Sequence, residues 1–242
     1  MLLAVILIVI LILINPSPYC IFAWYRYGKS EYCRLTGNSY LYVLSDKGRY
    51  GEFLTYRKLA KIDGNKQFLF NIYIPKEDGT TTEIDALLIH ETGLYVLESK
   101  NYSGWIFGTD TQKNWTQTLP QGKGRAPVKN KFFNPVMQNK GHTRALRTYL
   151  KDEQLPIRSV IVFSERCELK KVEITDSNCI VIKRDDLTWT MKALIKQAEN
   201  ILTAAGIDEI FQKLYPLTQM SDAQRQAHVD NINEKYKGGK KL

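Results

Sequence analysis

The segment 83–104, EIDALLIHETGLYVLESKNYSG, constrains the fold more than any other part of the chain. Two apolar runs, 86–89 and 94–97, flank Glu91-Thr92-Gly93, a turn signal between strand-forming residues. Residues 83–90 and 94–100 are therefore expected as the two strands of a hairpin. Side chains alternate along a strand, so Leu94, Val96, Glu98 and Lys100 share one face, and Asp85 shares a face with Leu87 and Ile89. A four-residue loop, 90–93, pairs Asp85 with Glu98 directly, and a two-residue loop is expected to shift that pairing by two positions. Two carboxylates so close repel unless a cation lies between them. Magnesium suits such a pair because it takes oxygen ligands and keeps several waters. A lysine two residues further on can orient or activate the attacking water. Solvent-facing charges on an edge strand give the same spacing by chance, but here the acids interrupt apolar runs.

Around the hairpin, helical and strand patterns alternate. Helices are expected at 50–61, 135–150, 185–205 and 207–214, with a last one at 221–236 before a loose basic tail. Strands are expected at 68–74, 159–164 and 179–183, with a short strand and a turn within 101–115. The polar, basic stretch 113–134 reads as a long surface loop. This order predicts an α/β fold, a mixed central β-sheet flanked by helices.

The N-terminus carries a different signal. No charged side chain precedes Arg26, and residues 2–14 are an unbroken apolar run of 13 residues. As a helix that run is about 20 Å long, short of the ~30 Å hydrocarbon core, and 19–25 would complete a span across the interruption Asn15-Pro16-Ser17-Pro18. Trp24, Tyr25 and Tyr27 resemble an interfacial aromatic belt, followed by Arg26, Lys29 and Arg34. A cleaved signal peptide is the competing reading, but it lacks a charged n-region and a small-x-small site. The expected organisation is an anchor over 1–27, a juxtamembrane linker over 28–46, a core over 47–165, packing elements over 166–220 and a terminal helix and tail over 221–242. The basic residues after the anchor place the body in the cytoplasm, at the inner cell membrane, as a single-pass protein.

Lys and Arg number 34 against 25 Asp and Glu, a net charge of +9, which points to a polyanionic partner. Cys20, Cys33, Cys167 and Cys179 form no C-x-x-C pair, which argues against structural zinc and against a disulfide scaffold. There is no P-loop, G-x-G-x-x-G or G-x-S-x-G motif, so Walker-type nucleotide hydrolysis and α/β-hydrolase chemistry lack support. His90, His142 and His228 have no zinc spacing, although His142 falls four residues after Gln138 on one helix face.

Gly51-Glu52, Glu83-Ile84-Asp85, the run from Gly93 to Glu98-Ser99-Lys100, Asn101-Tyr102-Ser103-Gly104, Trp105-Ile106-Phe107-Gly108, Trp115-Thr116-Gln117, Asn134-Pro135, Gln138-Asn139 and His142 follow in an order that resembles the nuclease-related domain (NERD) family, a branch of the PD-(D/E)xK nuclease superfamily. The resemblance covers about residues 47–165. It implies a restriction-endonuclease-like core, with Asp85 and Glu98 binding Mg²⁺ (or Mn²⁺) and Lys100 assisting the attacking water. Glu52 would support the metal site, and Gln138 would touch substrate or water. The partner implied is nucleic acid, DNA foremost. For it, Lys113, Lys123, Arg125, Lys129 and Lys131 offer an electrostatic cradle, and Arg144, with Arg147 one turn on, further phosphate contacts. Trp105, Phe107 and Trp115 can stack on bases, though packing is the expected role of at least two of them. Glu52 also reads as a carboxylate stabilised by its helix dipole, and Gln138 as a surface amide.

Two other functional readings use the same features. One is a membrane-tethered binding or interaction module without turnover, which gains nothing from adjacent carboxylates facing a polyanion. The other is a lipid-surface protein, which predicts basic residues clustered near the anchor, whereas the excess here is spread along the chain.

Overall fold

The computed structural model describes residues 18–221 together with 223, 225, 226 and 230. The apolar run 2–14 and most of the expected helix 221–236 lie outside the described residues. Among the described residues no helix is long and apolar enough to cross a membrane.

The chain opens with α1 (Pro18–Gly28), α2 (Glu31–Thr36), α3 (Tyr40–Ser45) and α4 (Lys47–Leu59). Ser30, Ser39 and Asp46 cap α2, α3 and α4, each accepting a backbone N–H three residues on. Residues 28–46 are therefore not a linker. Tyr27, Tyr32 and Val43 are buried in the main core, and their rings and branches hold α1–α3 against α4 and the sheet.

Among the described residues nine strands follow, in two sheets. The first sheet has the order β1 (Lys66–Pro75), β2 (Thr81–His90), β3 (Gly93–Lys100), β7 (Ile157–Phe163) and β9 (Cys179–Lys183). Its first three strands are antiparallel; β3, β7 and β9 run parallel. The β2–β3 turn has two residues, Glu91-Thr92, and His90 pairs with Gly93. The shift expected of a two-residue loop does not occur, because closing the ladder at His90 and Gly93 keeps the same register as the longer loop. One step beyond Ala86↔Leu97 sets Asp85 opposite Glu98.

The second sheet has the order β6 (Val128–Phe133), β5 (Asn114–Leu119), β4 (Gly104–Thr109) and β8 (Cys167–Glu173). The stretch 113–134 is thus a hairpin of β5 and β6 and not a long loop. Trp115, fully buried, supplies the reason: its ring stacks on Phe163 at 6.0 Å. The side-chain amide of Asn134 then ties the end of β6 to the carbonyls of Thr109, Asp110 and Gln112. Both edge strands, β6 and β8, carry lysines, which hides their strand character in the sequence and discourages edge pairing.

Helix α5 (Pro135–Leu150) covers the first sheet. Asn139 donates to Val96 O at 2.8 Å, placing the helix on the face that carries Val96, Glu98 and Lys100. On the opposite face α4 meets the sheet, where Thr55 Oγ1 lies 3.2 Å from Ser99 Oγ. The expected helix 185–205 is interrupted: α6 (Leu187–Gln197) ends, and the N–H groups of Ile201 and Leu202 both donate to Glu91 O before α7 (Ala204–Leu214) begins. The mixed α/β architecture is as the sequence leads one to expect, with the second sheet added.

A Cβ at Gly108 would fall 2.3 Å from the Trp115 ring on the neighbouring strand, so Gly108→Ala must displace the ring that packs the second sheet on Phe163. We expect it to cost about 1–3 kcal/mol in urea unfolding. Gly141, inside α5 with open space around its Cα, gives the opposite sign: Gly141→Ala gains about 0.5–1 kcal/mol through helix propensity. Equal effects of the two substitutions would contradict this packing.

Candidate active site

Asp85 sits where regular pairing fails on both sides of β2. Toward β3 the ladder stops at Ala86↔Leu97. Toward β1 the residue opposite, Asn71, leaves the ladder with φ +51°, a left-handed conformation that Asn tolerates better than most residues. Freed from the ladder, the Asp85 carboxylate accepts the Ser99 N–H at 3.1 Å, taking the place of a strand carbonyl. Its orientation is fixed by the backbone of the strand that carries Glu98.

Glu98 is 1 % exposed. Its two oxygens face different partners. Lys100 Nζ donates to Oε1 at 2.6 Å, and His142 Nε2 lies 3.3 Å from Oε2 without hydrogen-bond geometry. Burial pushes the Glu98 carboxyl up, but Lys100 and His142 outweigh burial and hold it below the ordinary carboxylate value. The Lys100 ammonium reaches a second acceptor, Gln138 Oε1, at 3.2 Å. Burial disfavours its charge, yet Glu98 and Asp85 raise its pKa and keep it an ammonium. His142 is oriented by Thr82, whose hydroxyl lies 2.8 Å from Nδ1. Helix α5 thus supplies Gln138 and His142 one turn apart to the end of β3.

Glu52 comes from the second turn of α4 and is half-buried, as is Asp85. Burial first, then Glu83, Asp46 and Glu98, push its carboxyl up to about 7. A helix dipole acting on an N-terminal carboxylate would lower it, so the dipole is not what governs Glu52. Asp85 is raised well above the ordinary value by burial, then by Glu98 and Glu52. The three carboxylates therefore feel one another's charge. Tyr32 OH lies 3.5 Å from Glu52 Oε2.

Oxygen donors, two of them β-strand carboxylates, fit a hard divalent ion that keeps its own waters. Glu98 Oε2, buried and without a hydrogen bond, is an acceptor left for such a ligand. Among the described residues no group of three or more His, Cys, Asp or Glu is drawn together closely enough to enclose a metal. The fit is thus to an ion held by one or two carboxylates, with substrate and water completing its shell.

The five residues Asp85, Glu98, Lys100, Glu52 and Gln138 converge at the C-terminal end of β3. The basic candidates lie elsewhere. Lys113 precedes β5, Lys123 and Arg125 sit in the β5–β6 turn, and Lys129 and Lys131 project from β6; all are exposed. Their sheet is tied to the site at both ends, since β4 starts four residues after Lys100 and β6 ends five residues before Gln138. Arg144 is exposed on α5, whereas Arg147 Nη1 is engaged by the carbonyls of Asp152, Glu153 and Leu155. Trp115 is core, Phe107 is half-buried, and Trp105 is exposed beneath Lys170. Three participants carry little sequence signal: Asn71, Thr82, and the buried Arg184. The last joins Glu165 at 2.6 Å and Thr55 Oγ1 at 3.3 Å under α4. His142 alone had a hint, its one-turn offset from Gln138.

A mixed sheet with acids and a lysine gathered at a strand end, clamped by helices on both faces, fits the PD-(D/E)xK class of nuclease-like domains. The chain belongs to the nuclease-related domain family, whose model matches residues 47–164. It is also similar to an uncharacterised protein of Bacillus anthracis, 33 % identical over 191 residues, which covers 78 % of this chain and 85 % of that one.

A carboxyl whose folded pKa is raised binds its proton more tightly folded than unfolded. Its contribution to stability is complete below the unfolded value and is lost as pH rises through the folded one. For Glu52 the window runs from the ordinary 4.5 to about 7. Melting temperature without divalent ions should fall across that window, and Glu52→Gln should flatten the fall and melt higher than the parent at pH 8. A Gln variant with the parent's slope would remove Glu52 from the acidic cluster.

Proposed function

We propose that the protein is a metal-dependent nuclease, hydrolysing phosphodiester bonds of nucleic acid, DNA foremost, and held at the inner cell membrane by its N-terminal segment with the body in the cytoplasm. The observation that carries the reading is the Lys100 ammonium, bridging Glu98 and Gln138 at the strand end where Asp85 faces Glu98. The nuclease-related domain match supports the reaction class. The uncharged run 2–14 followed by Arg26, Lys29 and Arg34 supports the membrane part.

Asp85 and Glu98 would hold Mg²⁺ or Mn²⁺, which supplies Lewis acidity at the phosphoryl group and lowers the pKa of the attacking water. The protein's own part is positional and electrostatic. Lys100 holds its proton and presents positive charge where the transition state gathers negative charge. Gln138 fixes the lysine from the far side with its carbonyl oxygen, which leaves its NH₂ to face substrate. Thr82 holds the His142 ring beside Glu98, so this carboxylate keeps one orientation and stays charged. Glu52 adds a third carboxyl whose proton state follows the charge of the other two. On the β5–β6 hairpin, Lys113, Lys123, Arg125, Lys129 and Lys131 would follow the phosphate backbone without reading sequence, with Arg144 a further contact.

Cleavage of labelled plasmid and single-stranded DNA by the full chain in detergent tests the reaction, run with Mg²⁺, with Mn²⁺ and with chelator. Asp85→Asn should abolish cutting, and Lys100→Ala should slow it by at least about 100-fold, the loss typical of one transition-state donor. Retained binding with no metal-dependent cutting by the parent would overturn the enzyme in favour of a tethered binding module.

Affinity measured against salt tests the cradle separately. Lys129→Gln and Lys131→Gln should each weaken binding evenly across sequences and lower the slope of log K against log salt by about 1. An unchanged slope would leave both lysines the single task of guarding an edge strand.

A further inference from the structure

Two neighbouring helices turn large apolar side chains to the outside. On α1, Tyr19, Ile21, Phe22, Trp24 and Tyr25 are each more than half exposed. On α3, Leu41 is 77 % exposed, and Tyr42 and Leu44 are exposed beside it, while Val43 is fully buried. Such a surface is too apolar to be left to water.

The helices form one surface. Tyr27, 2 % exposed, plugs the end of α1 into the core, and its hydroxyl donates to Asn38 O at 2.7 Å. Its ring stands 5.1 Å from Tyr40, the first residue of α3. A groove of about 400 Å³ runs between α1 and the start of α3. The exposed direction of α1 is thereby set relative to α3.

Cations accompany the rings. Arg26 lies over Phe22 at 5.5 Å, Lys29 over Tyr25 at 5.9 Å, and Arg49 over Tyr42 at 3.9 Å. Aromatic rings with guanidinium and ammonium groups beside them match the boundary between acyl chains and anionic headgroups, where both kinds of group are favourable. The sequence that leads into α1 is the uncharged run 2–14, so the apolar face continues a segment of the same solvent preference. A partner protein would have to match this mixture residue by residue, whereas a lipid surface matches it by composition.

We infer that α3 is a second membrane contact, with Leu41, Tyr42 and Leu44 seated in the headgroup boundary of an anionic bilayer beside α1, so that the body lies on the membrane and does not hang from a flexible tether. The inference rests on the anchor proposed above. It fixes the site as well: Asp46 ends α3 and caps α4, the helix that carries Glu52. The carboxylates then stand at a set height above the lipid.

The test uses the full chain reconstituted in phosphatidylcholine vesicles containing phosphatidylglycerol. Flotation under high salt reads the anchor. Leu41→Trp is compared with Val128→Trp, an exposed site on the edge strand β6, for quenching by lipids brominated on the acyl chains. The parent's four tryptophans give the baseline. Leu41→Trp should add emission that brominated lipid removes, and Val128→Trp should add emission that it leaves. A chain that floats with both new tryptophans unquenched overturns the second contact and keeps the anchor. A chain that fails to float overturns both. If Leu41→Trp emission is shielded in lipid-free detergent and the mass of the protein doubles, the surface joins two copies of the chain and the inference falls.

Discussion

A carboxylate that is 1 % exposed in the middle of an α/β sandwich is the constraint on which the rest of the structure depends. Glu98 cannot sit charged in that place alone; an unpaired ion there costs several kcal/mol. The surrounding elements satisfy it in turn. Two positions along its own strand Lys100 reaches back to it, and from α5 His142 faces its other oxygen. For α5 to come so close, Asn139 must bond the strand carbonyl of Val96 and the serine of β7. For α5 to start where it does, Asn134 must end β6 and cap the helix with the same side chain. The second sheet, its hairpin and the covering helix thus form one chain of consequences leading to a single buried charge.

The hairpin and the strands carrying Asp85, Glu98 and Lys100 were legible because they rest on local rules: period-two alternation and a turn signal between apolar runs; the register hung on the loop length, and the two-residue turn keeps the direct pairing that was expected only of a longer loop. The helix 135–150 was legible from its periodicity, down to its bounds. The second sheet was not. Its outer strands read VKNKFF and CELKKVE, and an edge strand wears its charges in every direction that lacks a neighbour. Trp115 and Phe132, both packed on Phe163 from another element, bind the hairpin to the core, and no local pattern holds those contacts. The helices over 31–45 were missed for a related reason. They are six residues long, each with one or two buried side chains, too short for a periodic signal. Arg184 and Asn71 act only through distant partners, which a single sequence does not display.

The second face of the sheet is organised by small contacts that let α4 approach. Gly51 lies so near the loop after β3 that a Cβ there would meet Asn101 at 2.9 Å. Thr55 bonds its own helix at Gly51 O, faces Ser99, and accepts from the buried Arg184. Glu52 stands between those two residues in sequence, so the close packing of α4 carries its carboxyl toward Asp85 and Glu98. Its raised pKa comes first from burial and then from the neighbouring acids, which the structure holds together although they would separate in water. Asp85 adds a second departure from regular structure, with the left-handed Asn71 opposite it and the ladder broken beside it. Strain and repulsion thus fall on the same few residues, and they sit at the strand end where chemistry is proposed.

The balance of charge at that strand end explains why the carboxylates and the basic surface belong to one design. The chain as a whole has a net charge of +9, yet at this strand end the carboxylates of Glu52, Asp85 and Glu98 outnumber the Lys100 ammonium when all are ionised. A phosphate group brought there by the exposed lysines of the β5–β6 hairpin would meet like charge at the last step. Protonation of Glu52 and Asp85 relieves part of it, and their raised pKa values are the measure of that need. A divalent cation held by Asp85 and Glu98, as proposed, would relieve it without occupying the acids with protons. A chain with only a binding role would gain affinity for a polyanion by replacing these acids with neutral side chains. Keeping them beside a lysine is what the proposed chemistry at a phosphate asks for.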